Sequence, residues 1–131
     1  MDSEVIKPHV LVVEDDADIG RILLVSLERS GLSVKLVDNA ISAFHQVVIN
    51  RPSLIITDVM MPGVDGLELV KYLKKHPRTC DIPILIISAR SDASDVRAGE
   101  EAGADFYFAK PFSTALLVES VHAALASSKA D

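Results

Sequence analysis

Five short apolar runs, rich in β-branched residues, recur along the chain and constrain its fold more than any other feature. Continuous apolar runs of this length are typical of strands that are buried on both faces, as in a parallel sheet. The runs are residues 10–13, 34–37, 54–57, 84–87 and 106–108. Each is followed by a segment long enough for a helix, so the pattern predicts a doubly wound α/β domain.

The intervening segments have apolar residues at helical spacing, which predicts a helix after each strand. Asp16, Asn39 and Ser113 stand where side chains would cap the first, second and fifth helices. The segment 91–102 has no stripe of large apolar residues, so its helix is expected to be the least firmly docked. The predicted core-facing stripes of the other four helices are Ile19, Ile22, Leu23, Ser26 and Leu27; Ala40, Ala43, Phe44, Val47 and Val48; Gly66, Leu69, Val70 and Leu73; and Leu117, Val121 and Ala124.

Composition excludes several classes of protein. The chain has 131 residues, which is typical of one domain, and its single cysteine cannot form an internal disulfide. Its formal net charge of −6 disfavours direct binding to nucleic acid, which needs a basic surface. The first residues do not have the layout of a signal peptide, and no run approaches a membrane span. A cytoplasmic protein without a membrane segment is therefore expected.

Polar side chains stand directly after the predicted strands. Glu14 and Asp15 follow the first strand, Asp58 the third, Ser88 the fourth and, after one alanine, Lys110 the fifth. The carboxyl ends of parallel strands share one edge of the sheet, and ligands of such sheets bind there. If the first and third strands are neighbours, three carboxylates converge and need a counter-charge, for which Mg²⁺ is suited. Acids, a cation, a lysine and a hydroxyl together predict a site for a phosphoryl group, with an aspartate as the nucleophile.

At this point the sequence resembles the receiver domain of two-component response regulators. The resemblance covers about residues 8–126 and rests on the order and spacing of several motifs. These are LVVED at 11–15, IITDVMMPG at 55–63, DG at 65–66, IISA at 86–89, GAD at 103–105 and KPF at 110–112. It implies a flavodoxin-like fold with strand order 2-1-3-4-5 and five helices. Residues 1–7 would then be a flexible N-terminus, and residues 127–131 a flexible tail or the start of a linker.

The resemblance also implies roles for the acidic residues. Asp58 matches the phosphoacceptor, which takes its phosphoryl group from a phosphohistidine. Asp15, Asp58 and the backbone carbonyl of Met60 match the protein ligands of Mg²⁺, with Mn²⁺ as the alternative cation. Glu14 matches a second acid that reaches the metal through water.

The remaining roles concern the phosphoryl group and its effect. Ser88 and Lys110 match the hydroxyl and the ammonium that contact it, and the bond between Lys110 and Pro111 is cis in the family. Tyr107 matches an aromatic switch residue, which turns inward when Ser88 moves. The implied partners are a sensor histidine kinase or a histidine phosphotransfer domain and a downstream effector. The readout surface would be the fourth helix, fifth strand and fifth helix, and a homodimer could form through the same surface.

Other interpretations of the same residues remain open. Asp15, Asp58 and Ser88 could merely cap the helices that follow them, and Lys110 could be an ordinary surface lysine. An aspartate-nucleophile phosphohydrolase would use similar residues, although Met60 stands where that class has a second acid. A receiver-like domain that binds partners without phosphate is the third alternative. The glycine spacing fits neither a P-loop nor a dinucleotide fingerprint.

Overall fold

Alternating strands and helices form a single three-layer structure in the computed structural model, which describes residues 7–61, 63 and 65–129. The strands are β1 (His9–Val13), β2 (Ser33–Val37), β3 (Leu54–Asp58), β4 (Ile84–Ser88) and β5 (Phe106–Ala109). The helices are α1 (Ala17–Arg29), α2 (Ala40–Ile49), α3 (Gly66–Lys75), α4 (Ala93–Ala102) and α5 (Thr114–Lys129). No helix within the described ranges is long and apolar enough to cross a membrane.

All five strands are parallel, and their order in the sheet is β2-β1-β3-β4-β5. This confirms the predicted fold and places β1 beside β3, with Val13 opposite Thr57. Each strand is one residue longer than its apolar run, because ladder hydrogen bonds join backbones and do not depend on side-chain polarity. Asp58 and Ser88 are thereby the last residues of β3 and β4, where the backbone holds them rigidly.

The sheet divides the core into two layers, because successive side chains of a strand point to opposite faces. One layer lies under α1 and α5 and contains Val10, Val12 and Ile56 from the central strands. The other contains Leu11, Val13 and Ile55 and lies under α2, α3 and α4. Both faces of β3 and β4 are fully covered, so the strands that carry Asp58 and Ser88 are the most buried in the sheet.

The predicted caps are confirmed. Asp16 accepts hydrogen bonds from the backbone N–H groups of Asp18 and Ile19, and Asn39 accepts one from Ser42. The Ser113 hydroxyl accepts the N–H of Leu116 at the start of α5. That helix runs to Lys129, so residues 127–129 are helical and only residues 130–131 of the predicted tail lie outside the described part. Residues 1–6 of the predicted flexible N-terminus lie outside it as well.

Two predicted core positions are wrong. Ile22 of α1 is 51% exposed and Val48 of α2 is 84% exposed, because each helix is covered by the sheet on a narrower face than its apolar residues span. The buried face of α2 consists of Ala40, Ala43 and Val47. The stripe of α3 is buried as predicted, and α4 buries only Gly99 and Ala102, in agreement with its weak pattern.

At the amino edge of the sheet, Lys74 joins α3 to the strands. Its Nζ donates to the carbonyl of Ile82 at 2.8 Å and to Asp105 Oδ2 at 3.2 Å. The same Asp105 oxygen accepts the N–H of Ile84 at 2.8 Å, which fixes the start of β4. The loop between α3 and β4 passes Lys74 and carries Cys80, which is exposed. The sequence interpretation missed this network because its members are far apart in the chain.

Candidate functional site

Three carboxylates meet at the carboxyl edge of the sheet, as the topology requires once β1 lies beside β3. Glu14 and Asp15 follow β1, and Asp58 ends β3. Each offers an oxygen atom, and these oxygens lie within 4.8 Å of one another. Glu14 and Asp58 are buried, whereas Asp15 is exposed. The convergence predicted from the sequence is therefore present.

Lys110 reaches this cluster from the end of β5. Its Nζ lies 2.8 Å from Asp58 Oδ2 and 2.8 Å from Glu14 Oε1. The contact with Asp58 is a hydrogen bond, whereas the one with Glu14 is an ion pair without hydrogen-bond geometry. The backbone N–H of Lys110 donates to the carbonyl of Ser88 at 2.8 Å, and the bond to Pro111 is cis, as the resemblance implies.

The electrostatics of the cluster are unbalanced. Burial raises the pKa of Glu14 to about 7, and the nearby charge of Asp58 adds to this, although Lys110 and the N–H of Asp16 oppose it. Burial alone would lower the pKa of Lys110, but its contacts with Asp58 and Glu14 outweigh burial and raise that pKa. One ammonium thus faces three carboxylates, and carboxylates in this position need further positive charge.

Backbone N–H groups fix the orientation of the polar side chains. Met60 donates to Asp58 Oδ1, and Arg90 donates to the hydroxyl oxygen of Ser88, both at 3.0 Å. The N–H of Asp16 donates to Glu14 Oε2 at 3.0 Å. Each bond spans two residues, so the turn after each strand holds its own side chain. The role of the Met60 carbonyl as a metal ligand remains a prediction.

The alternative that these residues only cap helices is wrong. Asp16, not Asp15, caps α1, and Asp65 caps α3 by accepting the N–H of Leu67. Asp92 caps α4, which begins five residues after Ser88. Lys110 is not an ordinary surface lysine either, because its side chain is only 15% exposed and contacts two acids.

The start of α3 presses against the backbone of Asp58. A Cβ atom at Gly66 would lie 2.1 Å from the carbonyl oxygen of Asp58 and 2.7 Å from the Cα of Val59. The N–H of Gly66 donates to the carbonyl of Val59 at 3.0 Å, which draws the two segments together. Gly66 therefore positions the loop that begins at Asp58. The sequence interpretation placed Gly66 in the buried stripe and missed this contact, although a glycine among larger apolar residues was its signal.

Tyr107 packs toward α4 and contacts the loop that follows Ser88. Its hydroxyl donates to the carbonyl of Arg90, and its ring lies where a side chain at Gly99 would otherwise be. Ile86 occupies the same space from the sheet side. The ring therefore links β5, α4 and the Ser88 loop. Its predicted role as a switch remains a prediction.

The residues present fit a hard divalent cation. Their donors are carboxylate oxygens, which such cations prefer, and their charges exceed what Lys110 can balance. Glu14 Oε1 is buried and, among the described residues, receives no hydrogen bond. Its charge partner, Lys110, is shared with Asp58, so an additional cation would stabilise the cluster.

Comparisons with known proteins agree with this site. The family model for the response regulator receiver domain matches residues 10–122. The transcriptional regulatory protein PrrA of Mycobacterium tuberculosis is 43% identical over 129 residues, which cover 95% of this chain and 53% of that protein. CseB of Streptomyces avermitilis, also a transcriptional regulatory protein, is 40% identical, with coverage of 89% and 48%. The chain spans about half the length of the curated relatives it matches.

Solved structures show the same fold. The receiver domain of the Francisella response regulator 1452 superposes with a TM-score of 0.86 at 30% identity, covering 92% of this chain and 98% of that one. The signal receiver domain of a signal transduction histidine kinase from Syntrophus aciditrophicus gives a TM-score of 0.85 at 34% identity, with coverage of 92% and 91%. With its acidic cluster and its sheet order, the chain belongs to the family of response regulator receiver domains.

Proposed function

We propose that this chain accepts a phosphoryl group on Asp58 from a phosphohistidine and signals through the change that follows. The observation that carries the proposal is the contact of one half-buried ammonium, Lys110 Nζ, with both Asp58 and Glu14 at 2.8 Å. A carboxylate that is buried, fixed by a backbone N–H and paired with a lysine is a nucleophile held in place. The excess acid around it accounts for the need for Mg²⁺ or Mn²⁺.

In the proposed reaction, an oxygen of the Asp58 carboxylate attacks the phosphorus in line with the P–N bond of the donor imidazole. That bond breaks, and the imidazole keeps the electron pair and takes up a proton. Asp15, Asp58 and the Met60 carbonyl would hold the cation directly, and Glu14 through water. When bound, the cation supplies charge neutralisation at the phosphoryl oxygens.

The other contacts with the phosphoryl group would come from side chains of the protein. Lys110 donates to a phosphoryl oxygen, and the small side chain of Ala89 leaves room beside it. Ser88 gives up the N–H of Arg90 and donates its hydroxyl to the phosphoryl group. Phosphoryl transfer depends mainly on positioning and on neutralising charge, which these residues supply.

The expected consequence is a shift between two arrangements of the readout surface, α4, β5 and α5. The Tyr107 hydroxyl donates to the carbonyl of Arg90. Movement of Ser88 toward the phosphate would shift the loop that follows it and therefore the position of the Tyr107 ring. The weak docking of α4 makes this helix easy to displace. We infer that a sensor histidine kinase or a phosphotransfer domain is the donor and that an effector reads the surface, with a homodimer as one form of output.

In this proposal the chain is a cytoplasmic signalling protein and not a metabolic enzyme, although its site would assist the uptake and loss of its own phosphate. No direct contact with nucleic acid or membrane is proposed for it.

The experiment is phosphorylation by acetyl phosphate and Mg²⁺, followed by intact-mass measurement. We expect the wild-type chain to gain one phosphoryl group and Asp58→Asn to gain none. Asp38→Asn is the matched control, because Asp38 lies on the same edge of the sheet after β2 but outside the cluster. Phosphate on Asp58→Asn, or none on the wild type, would overturn the assignment. Sustained release of phosphate from an ester would instead favour the phosphohydrolase.

A further inference from the structure

A groove between α2 and α3 lies apart from the phosphoryl site. It has a volume of about 620 Å³. Phe44, Val47 and Val48 line it from α2, and Tyr72 and Leu73 from α3. The rings of Phe44 and Tyr72 pack edge to face, with centroids 4.9 Å apart. This contact holds the two aromatic side chains that line the groove in place. The groove is thus apolar and shaped by side chains that pack against one another.

The helix α2 is apolar on more of its surface than the sheet covers. Ile41, Val48 and Ile49 are exposed by 72%, 84% and 67%. With Tyr72 of α3, they make up four of the eight large hydrophobic side chains that are exposed in the described part of the chain. Of these four, Val48 and Tyr72 line the groove itself, and exposed apolar residues that cluster mark an interaction surface.

The rim of the groove is basic, although the chain as a whole has a net charge of −6. Arg51, His76 and Arg78 line it, and Lys75 lies one helical turn after Tyr72 on α3. Arg51 is engaged with Asp81 at 2.6 Å. Within the described residues, Arg78 and Lys75 form no ion pair, so their charges are available to a partner.

We propose that this α2–α3 groove binds an acidic amphipathic segment of another protein, with an apolar or aromatic side chain seated against Phe44 and Tyr72 and carboxylates facing Arg78 and Lys75. The charge of the rim selects this occupant over a second copy of the chain. A symmetric dimer through the groove would bring the two basic rims against each other, which is unfavourable at short range. The proposal concerns a second surface and does not depend on phosphorylation.

The test uses display selection from a random peptide library against the unphosphorylated chain, followed by titration of the enriched peptides by isothermal calorimetry. We expect a consensus with one or two large apolar residues flanked by aspartate or glutamate. Replacing its acids with glutamine or asparagine should weaken binding about tenfold, because each exposed charge pair contributes only a small part of the binding free energy. Methyl NMR should place the perturbations at Val47, Val48 and Leu73.

Two charge-reversed variants make the result specific. Lys75→Glu with Arg78→Glu should weaken the acidic peptides about tenfold or more, while Arg29→Glu with Arg97→Glu changes the net charge equally on exposed parts of α1 and α4 and should not. A consensus without acids, or perturbations outside the groove, would overturn the proposal. So would sedimentation that shows a dimer which Val48→Glu abolishes, because the occupant would then be a second copy.

Discussion

The two ends of the sheet each hold a half-buried lysine paired with an aspartate, yet the two ion pairs differ in their charge balance. Lys74, at the amino edge, contacts one carboxylate and two backbone carbonyls, and Asp105 also receives the N–H of Ile84. Lys110, at the carboxyl edge, contacts two buried carboxylates, with Asp15 close by. The side chains of the two lysines are exposed by 18% and 15%, so burial does not distinguish them.

Charge balance distinguishes the structural ion pair at the amino edge from the one at the candidate site. At the amino edge Lys74 and Asp105 balance each other's charge, and the pair serves to join α3 to β4 and to the segment before β5. At the carboxyl edge the negative charge exceeds the positive charge, and a buried carboxylate oxygen is left with a charge contact only. Excess negative charge of this kind is typical of a binding site, where a bound cation supplies the missing positive charge.

The largest effect on stability is expected from Gly66→Ala, whose added methyl group would clash with the backbone at the carboxyl edge. The added methyl group would lie 2.1 Å from the carbonyl oxygen of Asp58, and neither backbone can give way cheaply. We expect a loss of about 3 kcal/mol in the free energy of unfolding, measured in urea. Gly20→Ala is the control, because there the methyl group meets only the movable end of Leu36 at 3.0 Å. Equal losses in both variants would contradict the contact.

Lys110→Met should have the next largest effect, because it removes the cation that both carboxylates share. We expect a loss of about 2 kcal/mol without divalent cations, since breaking a buried pair leaves uncompensated charge. Added Mg²⁺ should restore part of the loss, which thermal melts in EDTA and in Mg²⁺ would reveal. The variant should also bind Mg²⁺ but no longer transmit phosphorylation to the readout surface. Equal melting temperatures in the two buffers would contradict the expected site.

A smaller and more diagnostic effect is expected from neutralising one acid at each edge. Asp105→Asn should lower the free energy of unfolding by about 1 kcal/mol, because Lys74 loses the one carboxylate that it contacts among the described residues and the pair is partly exposed. Asp58→Asn should leave stability unchanged or raise it, because it relieves repulsion among three acids. Compared in the same urea titration without Mg²⁺, only Asp105→Asn should therefore lose stability. A loss in both would remove the distinction between the edges.

The smallest effect concerns pH at the amino edge, where His9 begins β1. Burial lowers the pKa of His9, so the fold favours the neutral imidazole. Stability is therefore complete above the pKa of the unfolded chain and falls as the pH drops below it and through the lower pKa of the folded chain. His9→Gln should remove this contribution between pH 7 and pH 5, which the difference between the two stability curves shows by urea unfolding, because Glu14 titrates in the same range in both chains. An unchanged slope in the variant would assign the dependence to other groups.

The fold and the membership of the acidic cluster could be predicted from the sequence because both follow from local patterns. The β-branched runs mark the strands, and the residues that follow them must share one edge. Asp16 and Asn39 could be predicted as caps, since capping needs only the residues next to it. The positions of Glu14, Asp58 and Lys110 relative to the sheet followed from the same pattern.

What could not be predicted depends on packing between distant segments. The exposure of Val48 depends on how much of α2 the sheet covers. The helical spacing of apolar residues does not reveal the width of that contact. The pairing of Lys110 with Glu14 as well as Asp58 depends on the ends of three strands. The contact of Gly66 with Asp58 and that of Tyr107 with Gly99 depend on how closely segments far apart in the chain approach each other.

The single cysteine has a practical consequence for the α2–α3 groove. Cys80 is exposed and follows Arg78 and Thr79, two residues that line the groove. A thiol-reactive fluorophore or a ¹⁹F probe would therefore attach to the natural sequence at one place only. Its signal would report occupation of the groove in real time, while the phosphoryl site at the opposite edge of the sheet stays free of label. The two surfaces could then be followed separately in one sample.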